Sequence, residues 1–305
     1  MARNVVFFHN DLDGIMSALF LSIALNKEMI YIPAKHGINI QKLIERYSEN
    51  NYNIYIVDYT PNKLATLNID HHSSNLEYFN SLDKSKYLFN PSAPSCAGLI
   101  VRNFGLVEYK EIAALVDMVD SFDYKSVNEA AATHYDFIFS ELILKNENVD
   151  YCMKRALKIL KTFKSEEYFK RSCEIIFGKK AIESEILKIQ KINDETYKVL
   201  DDIVYKNFVF LKSDKHQTLN RNLAYKKGYD GVFTEQKIED KEVYHHALVV
   251  NKFKEEKFKN VDVSAICKKF PGGGGHRMAA GFSTSEPVSL EQFKDIIDQV
   301  LEQIS

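Results

Sequence analysis

Asn4-Val5-Val6-Phe7-Phe8-His9-Asn10-Asp11-Leu12-Asp13-Gly14-Ile15-Met16-Ser17-Ala18-Leu19-Phe20-Leu21 opens the chain with two different periodicities. Residues 4–8 form a short apolar run of β-prone type, whereas from Gly14 to Leu25 the apolar residues recur at helical spacing. Asp11 and Asp13 fall in the turn between, so the segment predicts a strand, a loop and a helix. The pattern repeats downstream. Met29–Pro33 reads as a strand, Ile40–Tyr47 as a helix, Ile54–Val57 as a strand, Asn62–Leu67 as a short helix and Asn68-Ile69-Asp70 as another strand. Alternation of this kind predicts an α/β fold with a doubly wound, mainly parallel sheet covered by helices on both faces.

The polar residues cluster where such a sheet binds ligands. Asp11 and Asp13 follow the first strand, Asp58 follows Ile54–Val57, and His71 and His72 follow Ile69-Asp70, all at carboxyl ends of strands. Helical periodicity then dominates from about Glu108 to Leu200, through Ile112–Val119, Tyr151–Phe163 and a Lys/Glu-rich stretch from Ser165 to Val199. Beyond it, Phe208–Leu211, Gly231–Phe233 and His246–Val250 read as strands, Val261–Phe270 as a helix capped by Asp262, and Leu290–Ile304 as a last amphipathic helix. The expected organisation is a domain over 1–164, a helical connector over 165–200 and a smaller α/β domain over 201–305, with a cleft between the two domains.

Composition sets the outer bounds. With 305 residues, 45% apolar and 27% charged, the chain has the make-up of an ordinary globular protein of about two domains. A net charge of −2 excludes a strongly basic protein that coats long nucleic acid, because that binding draws on a surplus of Lys and Arg. Any nucleic-acid substrate is expected to be short. Cys96, Cys152, Cys173 and Cys267 form no Cys-x-x-Cys pair, as buried thiols in a reducing compartment would not. Met1-Ala2-Arg3-Asn4 runs straight into a strand with no leader pattern, and no apolar stretch has spanning length. A cytoplasmic protein without membrane contact is expected, and a homodimer stays open.

A histidine and two carboxylates at His9, Asp11 and Asp13 put an imidazole and hard oxygen ligands on one short turn, as a divalent metal site needs. The same aspartates could instead cap the helix that starts near Gly14. Asp70-His71-His72 adds weight to the metal reading, since charged and imidazole groups ending an apolar strand are costly without partners. Asp11, Asp13, Asp58, His71 and a carboxylate from the 111–123 helix supply enough ligands for two octahedral ions sharing a bridging carboxylate. A pair of ions roughly 3.5–4 Å apart activates water and stabilises in-line displacement at phosphorus. Mn²⁺ suits such a site, with Mg²⁺ or Co²⁺ as alternatives.

His9-Asn10-Asp11-Leu12-Asp13-Gly14, Val57-Asp58, Asp70-His71-His72 and Val119-Asp120-Ser121 resemble, in order, the four motifs of the DHH phosphoesterase superfamily. The stretch from Pro271 through Gly272-Gly273-Gly274-Gly275-His276-Arg277 to Phe282 resembles the glycine-rich signature of its DHHA1 substrate-binding domain. The resemblance spans nearly the whole chain. It implies one metal held by His9, Asp11 and Asp58, a second by Asp13, Asp58, His71 and Asp120, and Asp58 as the bridge. It also implies that His72 faces the reacting phosphate and that Asp70 orients the histidines. Only Asn10 separates His9 from Asp11, where several subfamilies have three residues. Asp117, Asp120 and Asp123 are spaced three apart, and alignment with the family pattern favours Asp120.

Four successive glycines carry an entropic cost that a fold accepts where the backbone takes unusual angles or is closely approached. Their N–H groups suit a phosphate. Gly273, Gly274, Gly275, His276 and Arg277 are therefore the expected substrate-binding residues, Arg277 adding a charge-assisted bond. A second helix N-terminus, opening near Cys96 after Asn90–Ser95, could present N–H groups to a ligand or simply be capped by Ser95.

Within the superfamily the chain is most similar to the nanoRNases, which implies hydrolysis of very short RNA and linear dinucleotides. A 3′-phosphoadenosine 5′-phosphate phosphatase, a cyclic mono- or dinucleotide phosphodiesterase and a non-catalytic nucleotide sensor are the alternatives.

Overall fold

The computed structural model describes residues 3–34, 40–132, 134–212, 217–238 and 242–304. In chain order the elements are β1 (Asn4–His9), α1 (Leu12–Leu25), β2 (Ile30–Ala34), α2 (Gln41–Glu49), β3 (Asn53–Val57), β4 (Leu67–Asp70), α3 (Leu76–Asn80), β5 (Tyr87–Phe89), α4 (Cys96–Asn103) and α5 (Lys110–Asp120). There follow α6 (Val127–Ala130), α7 (Tyr135–Leu144), α8 (Val149–Leu160), α9 (Glu167–Ile176) and α10 (Lys179–Val199). The remainder comprises β6 (Val204–Tyr205), β7 (Phe208–Lys212), α11 (Gln217–Lys226), β8 (Gly231–Lys237), β9 (Tyr244–Val250), α12 (Val263–Cys267), β10 (Gly274–His276), β11 (Ala279–Thr284) and α13 (Leu290–Glu302).

Two compact units result: Met1–Tyr124 with Thr133–Ile186, and Lys125–Ala132 with Leu187–Ser305. The division falls inside α10, whereas the sequence-based segments 1–164, 165–200 and 201–305 cut the chain at other points. No described helix is long and apolar enough to cross a membrane.

In the first unit the described strands form a five-stranded sheet in the order β2-β1-β3-β4-β5, every pair parallel. Val5, Val6, Phe7 and Phe8 of β1 are fully buried, as a central parallel strand covered on both faces requires. On one face Val5, Phe7, Ile54 and Ile56 pack with Ile44 of α2. Helix α1 is buried from Leu12 to Ser22. Gly14 lets its first turn lie against β1, because a Cβ there would meet the His9 carbonyl oxygen at 2.1 Å. The chain leaves β1 toward β2 on one side and β3 on the other, so the topological switch lies between the carboxyl ends of β1 and β3. Open α/β sheets bind ligands at that point.

Two sequence expectations change. Asn62–Leu67 is no helix: the Asn62 side chain accepts from the Leu64 amide at 2.9 Å and its carbonyl from the Ala65 amide at 3.1 Å, making a turn, and β4 starts at Leu67. The Val261–Phe270 helix shortens to Val263–Cys267, with Asp262 accepting from the Ser264 and Ala265 amides as its N-cap.

In the second unit the described strands form a six-stranded sheet in the order β10-β11-β9-β8-β7-β6, with β7–β8 parallel and the other pairs antiparallel. Its core is aromatic, with Phe208, Phe210, Phe233 and Phe282 against Ile266 of α12 and Phe293, Ile296, Ile297 and Val300 of α13. The glycine run is half turn and half strand. Gly273 presses on the end of α12, where a Cβ would meet the Cys267 carbonyl oxygen at 1.8 Å, and Gly274–His276 form the edge strand β10.

Arg277 turns its Nη1 to main chain, donating to the carbonyls of Phe258 (3.0 Å), Lys259 (2.9 Å) and Val261 (3.1 Å). Arg277→Ala is therefore expected to destabilise the second unit by about 1–2 kcal/mol, since hydrogen bonds to a charged group count for more than neutral ones and this group is partly exposed. Chemical denaturation followed by tyrosine fluorescence checks it; an unchanged midpoint would remove the structural role.

Candidate metal centre

Every sequence-predicted residue of the first unit comes to the switch point. His9 ends β1, Asp11 caps α1, and Asp13 sits in its first turn. Asp58 follows β3, Asp70 ends β4, His71 and His72 come next, and Asp120 is the last residue of α5. Ligand atoms group into three trios, each within 4.8 Å: His9, Asp11 and Asp58; Asp13, His71 and Asp120; and Asp58, His71 and His72. Asp58 joins the first trio to the third.

Asp58 is the centre of this arrangement. It is 1% exposed, yet neither carboxylate oxygen has a hydrogen-bond partner among the described residues. His9 Nδ1 lies 3.6 Å from Oδ2, while His71 Nε2 and His72 Nδ1 each lie 3.6 Å from Oδ1. Its φ is +55°, in the left-handed region that a non-glycine residue adopts at a cost, with the amide tied to the Ile69 carbonyl at 2.9 Å. A buried carboxylate with no donors, held in a strained backbone, fits a cation ligand and little else.

Asp11 has both roles that its sequence allowed. Oδ1 accepts from the Gly14 amide at 2.9 Å as the helix cap, and Oδ2 lies 2.6 Å from His9 Nδ1. Asp13 is fixed by the second helix N-terminus. Its oxygens accept from the amides of Cys96 (2.7 Å) and Ala97 (2.8 Å) at the start of α4, while Ser95 caps that helix through Gly98. The N–H groups flagged near Cys96 thus hold a carboxylate of the site.

His71 Nδ1 lies 3.0 Å from the Ala93 carbonyl, so Nδ1–H donates there and Nε2 is left for the cluster, 3.6 Å from Asp13 and 3.3 Å from Asp120. Asp70 is fully buried. Its Oδ1 accepts from the amides of His71 (2.8 Å) and His72 (3.2 Å) and from His72 Nδ1 (2.7 Å), and Oδ2 accepts from Asn75 Nδ2 (2.6 Å). In the fourth motif Asp117 accepts from Ser95 Oγ and Arg102 Nη1, each at 2.6 Å, and Asp120 lies 3.3 Å from His71 Nε2.

The electrostatics are those of a site with surplus negative charge. Burial pushes His9 down, but Asp11 and Asp58 raise it to about 11. His71 is likewise pushed down by burial and raised to about 10 by Asp58, Asp13 and Asp120. Burial, then Asp58 and Asp11, push Asp120 up to about 7, and burial with Asp58 and Asp120 holds Asp13 well above its ordinary range. Asp70 is held below the usual range: burial raises it, but the bonds from His72 and Asn75 more than offset that. Carboxylates that raise each other and trap protons on adjacent imidazoles are what a cation would relieve.

No protein-family model matches the sequence, and no curated protein matches it. Solved structures do. The pGpG-specific phosphodiesterase PggH from Vibrio cholerae superposes with a TM-score of 0.60 at 17% identity, covering 99% of this chain and 98% of that one. The DHH domain of a member of the s1p family of ribosomal proteins gives 0.56 at 12% identity, covering 99% and 87%. The chain shares the fold of these structures. A further match of the same fold, RecJ from Thermus thermophilus in complex with Mn²⁺, gives 0.51 at 13% identity, and this chain spans 52% of its length. Identities this low carry the fold alone, so the chemistry rests on the residues above.

Asn75 and the α4 N-terminus are the parts of the centre that the DHH motifs did not name. Asn75 lies three residues beyond His72, close enough for its amide to reach back to Asp70, and its position in Asp70-His71-His72-Ser73-Ser74-Asn75 was the available signal.

Proposed function

We propose that this chain is a two-metal phosphodiesterase that hydrolyses very short oligoribonucleotides and linear dinucleotides to mononucleotides. The observation that carries the reading is Asp58, a buried carboxylate with unpartnered oxygens shared by trios of imidazole and carboxylate groups. One divalent ion, Mn²⁺ in the first instance, is assigned to His9, Asp11 and Asp58, and another to Asp13, Asp58, His71 and Asp120. Bound there, such ions supply Lewis-acid activation of water and neutralise charge on the transferring phosphoryl group.

The protein's own residues do the rest. Asp58 fixes the two sites in register. Asp70 and the Ala93 carbonyl hold His72 and His71 in one orientation each. His72 donates Nδ1–H to Asp70, its side chain is 27% exposed, and its opposite ring edge is assigned to the substrate phosphate. The first unit is assigned as the DHH catalytic domain and the second as the DHHA1 substrate domain. Gly273, Gly274, Gly275 and the exposed His276 meet the nucleotide phosphate, with Arg277 bracing the segment through its carbonyl contacts.

A linear dinucleotide is favoured because a protein of nearly the same length and fold, PggH, is pGpG-specific. The test is turnover, with added Mn²⁺, of linear dinucleotides, 3′-phosphoadenosine 5′-phosphate and cyclic dinucleotides. The reading expects the highest kcat/KM on the linear dinucleotides. A preference for either other substrate, or nucleotide binding without any turnover, would replace it.

Asp70→Asn provides a further check. Its amide nitrogen would face either Asn75 or the three donors now bonded to Oδ1, loosening both histidines. Mn²⁺ affinity is expected to fall about 10–100-fold, read from the Mn²⁺ dependence of hydrolysis; unchanged Mn²⁺ dependence would show that Asp70 positions neither histidine.

A further inference from the structure

One carboxylate ties α4 to α5. Asp117 of α5 lies against Gly98 of α4 and takes a bond from each end of that helix: Ser95 Oγ at the N-cap donates to Oδ1, and Arg102 Nη1 in the last turn donates to Oδ2, both at 2.6 Å. Ser95 is fully buried, and its hydroxyl oxygen also accepts from the Gly98 amide at 2.9 Å. A Cβ at position 98 would meet Asp117 Oδ1 at 2.1 Å, so α4 carries glycine, a residue of low helix propensity, at the point of closest approach. An apolar side chain would join two helices without desolvating a charge. Bonds directed to both ends of α4 do something an apolar contact does not, which is to fix how far one helix is displaced along the other.

That displacement bears on one of the two proposed ion sites. Asp13 accepts from the Cys96 and Ala97 amides that open α4. His71 is oriented by the Ala93 carbonyl, two residues before Ser95. Asp120 follows Asp117 by one turn on the same face of α5 and lies 3.3 Å from His71 Nε2. The ligands of the other site are placed by different elements, since His9 ends β1, Asp11 caps α1 and Asp58 follows β3. We infer that Asp117 is a positioning residue for one ion of the pair: by locking α4 to α5 it sets the spacing of Asp13, His71 and Asp120, and with it the affinity of that site alone. The inference rests on the two-metal reading and adds to it a residue that touches neither ion nor substrate.

Mn²⁺ titration of the full chain, freed of metal with EDTA and then dialysed, tests this without turnover, by calorimetry and by electron paramagnetic resonance. Wild type is expected to fill two sites and to give the spectrum of a magnetically coupled pair. Asp117→Asn keeps the side-chain shape but turns an amide NH₂ toward Ser95 or Arg102. It is expected to weaken one ion by about 10–100-fold, the range for loss of an outer partner, to leave the other at its wild-type affinity, and to give the spectrum of an isolated ion at one equivalent. Arg102→Leu, at a half-exposed position, is expected to weaken the same ion by a smaller factor, and it reports even if Asp117→Asn does not fold. Ile44→Val, on the sheet face under α2, loosens packing away from both helices and is expected to keep both affinities. Wild-type affinities for both ions in Asp117→Asn or, should that variant not fold, in Arg102→Leu, whatever the melting temperatures, would overturn the positioning role and leave the two-metal reading standing. An equal loss of both ions, or the same selective loss in Ile44→Val, would overturn it as well, by making Asp117 a general support of the fold. A wild-type chain that holds fewer than two ions removes the two-metal reading and the positioning role together.

Discussion

Asp58→Asn lowers hydrolysis by more than about 10³-fold, beyond the roughly 10–100-fold that loss of an outer partner costs, while leaving the metal-free protein folded. The size of the effect follows from position. Asp58 faces His9, His71 and His72 at once, so its loss breaks both proposed ion sites rather than one. Folding survives because asparagine adopts the left-handed conformation at φ +55° about as readily as aspartate, is nearly the same size, and keeps the amide bond to Ile69. The variant should therefore show a near wild-type melting temperature in EDTA and lose the increment that Mn²⁺ gives wild type. Substantial turnover with that increment retained would show that Asp58 bridges nothing.

Mn²⁺ stabilises the wild-type protein more at alkaline than at mildly acidic pH, and its binding releases protons. In the metal-free fold His9 stands at about 11 and His71 at about 10, both raised from an ordinary 6.5, and Asp120 stands at about 7, raised from 3.8. A group whose folded value is raised contributes stability that is complete below its unfolded value and lost as pH rises through the folded one. For the histidines that window runs from about 6.5 to about 10–11, and for Asp120 from about 3.8 to about 7, so metal-free stability declines with rising pH across both. Asp11 and Asp70, which are lowered, act in the opposite sense at more acid pH.

A cation takes the place of those protons, so its affinity rises with pH. At about 100 times its dissociation constant an ion adds about 2.7 kcal/mol, or roughly 5–10 °C for a unit of this size. Thermal shifts with and without Mn²⁺ at about pH 6 and about pH 8.5, with calorimetry in buffers of different ionisation enthalpy, check both parts. A pH-independent shift and no proton release would place the ion elsewhere.

The first unit was legible because its signals are local. β1 is apolar on both faces, α1 keeps helical spacing, and the first three motifs fall within a few residues of a strand end, where parallel topology brings the ends together, while the fourth ends α5. The failures came from contacts that spacing does not encode. Leu64, Ala65 and Leu67 imitate a helical face, but the Asn62 side chain captures the Leu64 amide and starts a turn. Asp117, Asp120 and Asp123 are equivalent by interval. Ser95 and Arg102, distant in sequence, engage Asp117, and Gly98 makes room for it, since a Cβ there would meet its Oδ1 at 2.1 Å.

In the second unit the glycine run alone did not show that β10 takes Gly274 and Gly275 or that Gly273 presses on the end of α12. The bonds from Arg277 Nη1 to three carbonyls were not legible either, because the path of residues 258–261 that brings them to it is tertiary.

The most direct measurement of the central claim is the number of Mn²⁺ ions held by the purified chain, by equilibrium dialysis with elemental analysis, for wild type and Asp58→Asn. The proposed centre predicts two ions per wild-type chain and a loss of both, or of all but weak binding, in the variant. No bound Mn²⁺, or a single ion indifferent to Asp58, would contradict it.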